Sequence, residues 1–219
     1  MDFMDTVHKA VLVLVPMILC LTVHEYAHAR AAFALGDHTA AAMGRMNLNP
    51  LSHIDPFGTL LLPLLAVVSG GPFFGWARPV PINPVRFTHR IRMKTGVLLT
   101  AAAGPASNLA MAFLVALGFK FMAVAGINPP EFVLMLLVVT FKINVILAVF
   151  NLIPVPPLDG SRVLAGLLPD QYARHWAYLE RNPFFVLIAF AVLITQAGTI
   201  LGYPASLVEN AILFLTGNG

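Results

Sequence analysis

The chain has 219 residues, of which 58% are hydrophobic and 11% are charged. Soluble domains carry about 25% charged residues, so this composition excludes an ordinary soluble domain and predicts a polytopic membrane protein in a lipid bilayer. The single cysteine excludes an intrachain disulfide and a cysteine-based zinc site, and a formal net charge of +3 is too small to indicate a nucleic-acid partner.

The first apolar segment, residues 6–35, predicts a membrane-spanning helix with a kink at Pro16 and a stop at Gly36. Residues 1–6 are acidic and lack both a basic region and a small-residue cleavage site. We therefore interpret this segment as a retained span rather than a signal peptide.

A His-Glu-x-x-His sequence, His24 to His28, lies toward the end of this predicted helix. Four residues along a helix advance about 6 Å and rotate by about 40°, so both imidazoles project from one face toward one point. Glu25 points about 100° away and can reach a metal-bound water without ligating the metal. The uncharged residues 10–23 precede the motif. Placing ionisable side chains in such an apolar span costs free energy, so residues of this kind usually have a function. The pattern therefore indicates two zinc ligands and a base, rather than a buried polar cluster.

Residues 38–49 mix short apolar and polar runs, a pattern that favours extended structure over a helix. An apolar segment broken by prolines and glycines follows at residues 60–74. Its regular part is short for a span of about 20 residues unless residues 54–59 are included.

The next loop carries the densest basic cluster in the chain and no acidic residue: Arg78, Arg86, Arg90, Arg92 and Lys94. The positive-inside rule places this loop in the cytoplasm. Residues 95–119 then predict a span that leaves the cytoplasmic side, and residues 131–153 predict one that returns and ends at a run of prolines. Residues 183–208 predict one more span, and the placement of the tail after Glu209 stays open.

These segments predict an all-α polytopic membrane protein with about four to six transmembrane helices and a small extended or β re-entrant region after the first helix. We interpret residues 1–219 as a single domain, with a core over residues 7–168 and an additional C-terminal helix region over residues 183–217. If residues 51–69 span fully, the histidine pair lies toward the outer side, far from Asp159. If they are re-entrant, both lie near the cytoplasm, and the acidic start and the position of Arg30 favour this topology.

A hydrolytic zinc needs three protein ligands and one open position. Candidates for the third ligand are Asp159, His53 and Asp55. Asp159 is favoured because it lies at a proline-forced helix break among apolar residues, where a bare carboxylate is costly. The alternatives are that Asp159 is the N-cap of a short helix over residues 160–168, and that His53 and Asp55 organise a turn.

Three ordered motifs together resemble the site-2 protease family of intramembrane zinc metalloproteases. They are the His-Glu-Tyr-Ala-His sequence above, Gly104-Pro105-Ala-Ser-Asn108, and Asn151-x-x-Pro154-x-x-Pro157-x-Asp159-Gly160. The resemblance implies one Zn²⁺ per chain, with His24, His28 and Asp159 as its ligands. It further implies that Glu25 is the catalytic glutamate and that Asn151 stabilises an oxyanion.

The resemblance also implies hydrolysis of a peptide bond in or near a transmembrane segment of a membrane protein substrate, as in regulated intramembrane proteolysis. The composition, the basic loop and the re-entrant topology together predict a multi-pass protein of the cell membrane with its active site toward the cytoplasm. The chain is similar to a minimal form of the family, without the PDZ and CBS domains that some branches carry. Its oligomeric state stays open.

The sequence allows two interpretations of the role of several residues. Asn108 is either a substrate contact or a polar bridge between helices, and residues 39–49 and 76–83 either pair with an unwound substrate as an added strand or are plain connections. Lys142 either lines a hydrated cavity or pairs with a carboxylate inside the span, or else it extends outward. The alternative function is a zinc-binding membrane protein or metal transporter without hydrolysis, but no internal repeat supports it and transport gives no reason for Glu25 beside a ligand.

Overall fold

The computed structural model describes residues 3–69 and 75–218, and every regular element in this part of the chain is helical. The helices are α1 (Phe3–Ala34), α2 (Thr39–Ala42), α3 (Leu62–Ser69), α4 (Met93–Ala125), α5 (Glu131–Asn151), α6 (Asp159–Leu167), α7 (Asp170–Arg181), α8 (Pro183–Thr195) and α9 (Ala197–Thr216). Short 3₁₀ turns lie at Pro50–Ser52 and Pro84–Arg86, and a π-helical segment, Pro56–Leu61, leads directly into α3.

Four of these helices are long and apolar enough to cross a membrane: Thr6–Ala34, Met93–Ala125, Glu131–Asn151 and Ala197–Leu215. Helices α7 and α8 meet at a bend of 84° and would supply a fifth span only if the bent pair crosses as one. The prediction of an all-α membrane protein with about four to six transmembrane helices is therefore confirmed.

The predicted span over residues 183–208 is interrupted in the structure. Helix α8 ends at Thr195, and α9 begins at Ala197 and continues through Glu209 to Thr216. The prediction was wrong because an uncharged composition does not require one continuous helix. The end of α9 is attached to α4, since the Lys120 Nζ donates to the Gly217 carbonyl and the Asn218 Nδ2 donates to the Ala116 carbonyl, each at 2.8 Å.

The extended or β region predicted after α1 is not confirmed. Residues 39–42 form the short helix α2, because alanine has the highest helix propensity and follows Thr39 three times. The chain then turns through Gly44, whose φ of +64° is a conformation that side-chain-bearing residues rarely adopt. Irregular turns without a strand fill the rest of residues 43–49.

The apolar segment after these turns forms a single short helical stretch, Pro56–Ser69, which is shorter than a membrane span. Asp55 caps its start, because its Oδ1 accepts hydrogen bonds from the Phe57 and Gly58 N–H groups at 3.0 and 2.8 Å. The Gly-Gly-Pro break that was predicted to interrupt the segment falls in residues 70–74, outside the described residues.

The end of α1 and the approach to α4 lie together. The Thr88 N–H donates to the Leu35 carbonyl at 2.6 Å, and the Asn83 N–H donates to the Asp37 Oδ2 at 2.6 Å. Gly36 between them has a φ of +101°, and a Cβ there would lie 3.2 Å from the Arg86 carbonyl oxygen. The end of α1 and the approach to α4 are therefore joined by hydrogen bonds at one end of the bundle.

Helix α4 is central, and its most extensive contacts are with α1, α5 and α6. Where α4 meets α5 and α9, the fully buried Ala112 and Ala116 face Phe141 and Val145. Small residues allow helix backbones to approach closely, which is how helices associate in a membrane without a hydrophobic driving force. This packing holds α4, α5 and α9 together.

Asp37 supplies a test of the junction between α1 and α4. Burial alone would raise the pKa of Asp37, but hydrogen bonds from Thr39 and from the Asn83 N–H, with the charge of Arg86, lower it below its ordinary value. A carboxyl group with a lowered folded-state pKa stabilises the fold above its unfolded pKa of about 3.9, and that stability is lost as the pH falls through the folded value. We expect Asp37→Asn to lower the melting temperature at pH 7, and the difference from wild type to shrink below about pH 4.

The measurement is thermal unfolding in detergent at a series of pH values. Glu131→Gln removes one exposed carboxylate at the start of α5 and serves as the matched control. A deficit for Asp37→Asn that stays constant down to pH 2 would contradict the assignment.

Candidate active site

Three potential ligand atoms converge between α1 and α6. The Nε2 atoms of His24 and His28 lie 3.0 Å apart, and each lies 3.1 Å from the Asp159 Oδ2. Tetrahedral zinc with bonds of about 2.0–2.1 Å separates its ligand atoms by roughly 3.3 Å. Among the described residues, this is the one group of three or more His, Cys, Asp or Glu side chains close enough to hold a metal ion.

Both histidines direct their Nε2 atoms to this point. The His28 Nδ1 lies 2.7 Å from the Thr100 carbonyl oxygen, and the His24 Nδ1 lies 2.6 Å from the Asn108 Oδ1. Because a carbonyl oxygen only accepts, each Nδ1 carries a proton, which leaves each Nε2 as the ring nitrogen that can ligate a metal. Two ring nitrogens and a carboxylate oxygen that meet at one point are a donor set that fits zinc.

The orientation of Asn108 is fixed from outside the centre. Its Nδ2 donates to the Cys20 carbonyl at 3.3 Å and to the Asn144 Oδ1 at 2.9 Å, and the Asn144 Nδ2 donates to the Thr140 carbonyl at 2.9 Å. We call this series, from Thr140 through Asn144 and Asn108 to His24, the amide chain. Main-chain carbonyls set its direction, so the Asn108 amide presents its oxygen to the ring and selects the tautomer of His24.

The amide chain favours the bridging interpretation of Asn108. The side chain is fully buried and links α1, α4 and α5. Asn144 was not singled out in the sequence, although an asparagine inside an apolar span is a signal for such a bridge, because an unpaired amide there is costly.

Gly104 leaves the space that the two imidazoles occupy. A Cβ at this position would lie 2.6 Å from the His24 Nε2 and closer still to the His28 Nε2. Only a glycine allows α4 to approach the ring nitrogens this closely, which gives the Gly-Pro-Ala-Ser-Asn motif a physical reason.

Asp159 reaches the centre from the first turn of α6. Leu158 occupies the N-cap position, so the alternative that Asp159 caps this helix is wrong. Gly160 lies against the carbonyl oxygens of Leu152 and Ile153, where any side chain would collide with the backbone. The next residue, Ser161, donates to the Glu180 Oε1 of α7.

Glu25 lies beside the ligands with its carboxylate fixed by the chain between α3 and α4. The Val80 N–H donates to the Glu25 Oε2 at 2.8 Å, and both residues are buried. Further bonds hold this segment: the Trp76 N–H donates to the Gly58 carbonyl at 3.1 Å, and the Thr59 Oγ1 donates to the Trp76 carbonyl at 2.7 Å. No local pattern signals this contact, because Glu25 and Val80 are far apart in the chain.

The centre opens on a cavity of about 770 Å³, whose walls include both histidines, Glu25, Asp159, Asn151 and Arg162. The Asn151 Nδ2 donates to the Leu147 carbonyl at 3.0 Å, a bond that uses one of its two amide hydrogens. Residues 76–83 also contribute to the wall through Trp76 and Val80, although they form no strand.

The other polar residues that the sequence offered lie elsewhere. His53 is buried, with its Nε2 2.9 Å from the Asn47 carbonyl oxygen, and Asp55 caps a helix, so both organise turns. Lys142 is exposed on α5 and does not line the cavity. Its outward position fits the last of the interpretations given to it.

A helical membrane protein with two histidines, a carboxylate and an adjacent glutamate around one cavity has the parts of a metal-dependent hydrolase. Residues 125–195 match Peptidase family M50. The chain is 36% identical over 198 residues to the Bacillus subtilis protein named as a zinc metalloprotease, YwhC, covering 87% of this chain and 83% of that one. The chain therefore belongs to peptidase family M50, the site-2 protease family of intramembrane zinc metalloproteases.

A second relative, the protein Rip2 of Mycolicibacterium smegmatis, is also named as a zinc metalloprotease. It is 30% identical over 189 residues, which are 85% of this chain and 68% of that protein. A third, MJ0611 of Methanocaldococcus jannaschii, is 38% identical over 64 residues, 29% of this chain and 31% of that protein. No solved structure matches the chain significantly. These matches do not favour the alternative of a zinc-binding protein or transporter without hydrolysis.

Gly104→Ala tests the close approach of α4 to the ligands. We expect zinc affinity to fall at least about tenfold, because the added methyl group displaces the imidazoles from their common point. The measurement is zinc content of the purified protein after dialysis against a graded chelator. Gly118→Ala on the same helix, where a Cβ meets nothing within 4 Å, should retain zinc like wild type. Equal zinc retention by both variants would contradict the placement of Gly104.

Asn108→Ala tests the amide chain. The substitution leaves the His24 Nδ1 without its acceptor and the Asn144 Oδ1 without its donor. We expect zinc affinity to fall roughly 10- to 100-fold, measured by competition with a chromophoric chelator. The matched control is Asn218→Ala. Asn218 follows α9, and its amide donates to the Ala116 carbonyl of α4, about two helical turns from Asn108. Unchanged affinity in the Asn108 variant would mean that the amide chain does not orient His24.

Proposed function

We propose that this protein hydrolyses a peptide bond in or next to a transmembrane segment of a substrate protein, with zinc bound by His24, His28 and Asp159. The observation that carries the proposal is the convergence of these three ligand atoms beside Glu25 on one cavity. Zinc at this centre would supply a Lewis acid for water and for the scissile carbonyl group. One carboxylate and two neutral imidazoles leave part of the metal's positive charge available for that chemistry.

Glu25 is the proposed general base and acid. Its Oε2 is occupied by the Val80 N–H, which leaves Oε1 to accept a proton from the attacking water. The same carboxylic acid then returns the proton to the nitrogen of the departing amine. Because Val80 holds one oxygen, the carboxylate keeps one rotamer and its free oxygen faces the cavity through both transfers.

Asn151 is the proposed oxyanion donor. It lines the cavity beside Asp159, and the bond to the Leu147 carbonyl leaves one amide hydrogen for a substrate oxygen. Asn108 is proposed as a positioning residue for His24 rather than a substrate contact. A helical substrate must unwind locally before its carbonyl groups can be attacked, since those groups are bonded within the helix.

The proposed location is the cell membrane, with the active site toward the cytoplasm. The basic loop before α4 lies at the same end of the bundle as the end of α1 and therefore near the histidines. In this arrangement α1 enters from outside and the segment before α4 is re-entrant. We further propose that residues 1–219 act as one protease domain.

The test compares purified wild type with Glu25→Gln and Asp159→Ala, measuring zinc content and cleavage of a labelled transmembrane-helix substrate. We expect Glu25→Gln to keep about one zinc per chain while cleavage falls by at least about 10²-fold, because the amide cannot accept the proton. Asp159→Ala should lose both zinc and cleavage.

Asp55→Asn is the control for Asp159→Ala, since Asp55 is the other carboxylate that the sequence offered as a ligand. It should bind zinc like wild type. Loss of zinc in Asp55→Asn but not in Asp159→Ala, or full cleavage by Glu25→Gln, would refute the assigned roles.

A further inference from the structure

The catalytic cavity contains a cation that the proposed mechanism does not use. Among the described residues of the cavity wall, Arg162 is the one lysine or arginine. It follows Asp159 by three residues on α6, so both side chains lie on the same face of that helix. The guanidinium therefore belongs to the wall that carries the third ligand.

No carboxylate within the described part of the chain is within 4 Å of this guanidinium. The ion pairs there join Asp159 to the two histidines and Lys94 to Asp170. Asp159, the acidic residue nearest to Arg162 on its own helix, is thus already engaged. Arg162 is exposed and lines the cavity that holds the candidate ligands.

Most of the remaining wall is apolar, and it includes Leu21, Trp76, Val80, Leu147, Phe150 and Phe190. An arginine in such surroundings is matched by a carboxylate, since its planar guanidinium forms paired, charge-assisted hydrogen bonds with that group. The cavity has to hold an unwound peptide, so the anion best placed to meet Arg162 is an acidic side chain of that peptide.

We propose that Arg162 selects substrates that carry an aspartate or glutamate close to the cleaved bond. This inference rests on the proposed function, and it names the substrate class of the same site. An extended peptide advances about 3.3 Å per residue, and Arg162 lies one helical turn from Asp159, so the acidic residue falls within roughly three positions of the cleaved bond.

The test is a charge exchange between enzyme and substrate. A labelled transmembrane-helix substrate is first mapped for its cleavage position, and acidic, amide and lysine versions are made at each of the three flanking positions on either side. Wild type should cleave the acidic version with a kcat/KM roughly 10- to 100-fold higher than the amide version at one of these positions. Arg162→Glu should lose that preference and cleave the lysine version best.

The controls separate this inference from the proposed function. Arg174→Glu makes the same charge change on α7, outside the cavity, and should keep the wild-type preference. Zinc content should be unchanged in Arg162→Glu, because the residue is not a ligand. Wild type that cleaves all versions equally would overturn the inference while leaving the protease assignment intact.

Two other results would also overturn the inference. A uniform loss of cleavage in Arg162→Glu, with no gain for the lysine version, would mean a structural role. An effect that follows the anionic lipid content of the vesicles, and not the substrate charge, would assign the guanidinium to a lipid headgroup. Absence of cleavage by zinc-loaded wild type for every version would instead reject the proposed function itself.

Discussion

The cost of an unpaired polar group inside a membrane governs this structure. His24 and Asn108 lie among apolar helices, where each hydrogen-bonding atom must find a partner within the protein. The amide chain satisfies them in sequence, from the Thr140 carbonyl to the His24 ring, and α1, α4 and α5 each supply a member. The same bonds that make the interior stable also hold His24 with its Nε2 toward the candidate metal centre, so the fold and that centre depend on one network.

The candidate metal centre also requires that the helix backbones approach one another closely. Gly104 allows α4 to lie against the imidazoles, and Gly160 allows α6 to start against the carbonyl oxygens at the end of α5. These two glycines set how near the ligands from separate helices come to each other. Alanines at the interface of α4 with α5 and α9 maintain that spacing over the length of the spans.

Local sequence patterns predicted the positions of the three candidate ligands. Helical spacing placed His24 and His28 on one face, and three prolines located the break that carries Asp159. The structure brings these side chains together. The interruption at Gln196 was missed because apolar composition marks a span without marking its ends. The contact of Val80 with Glu25 and the part played by Asn144 are tertiary pairings, and neither residue carries a periodic or spacing signal that would reveal its partner.

The hydrogen bond between Ser161 and Glu180 connects α7 to the turn that begins with Asp159. The Trp176 Nε1 also donates to the Ser161 Oγ, at 3.3 Å, so α7 holds this turn through two side chains. If the docking of α7 and the binding of a metal are coupled through this turn, the coupling is reciprocal, and each event stabilises the other by the same free energy. The turn that carries the third candidate ligand is thus supported by a helix outside the four long spans.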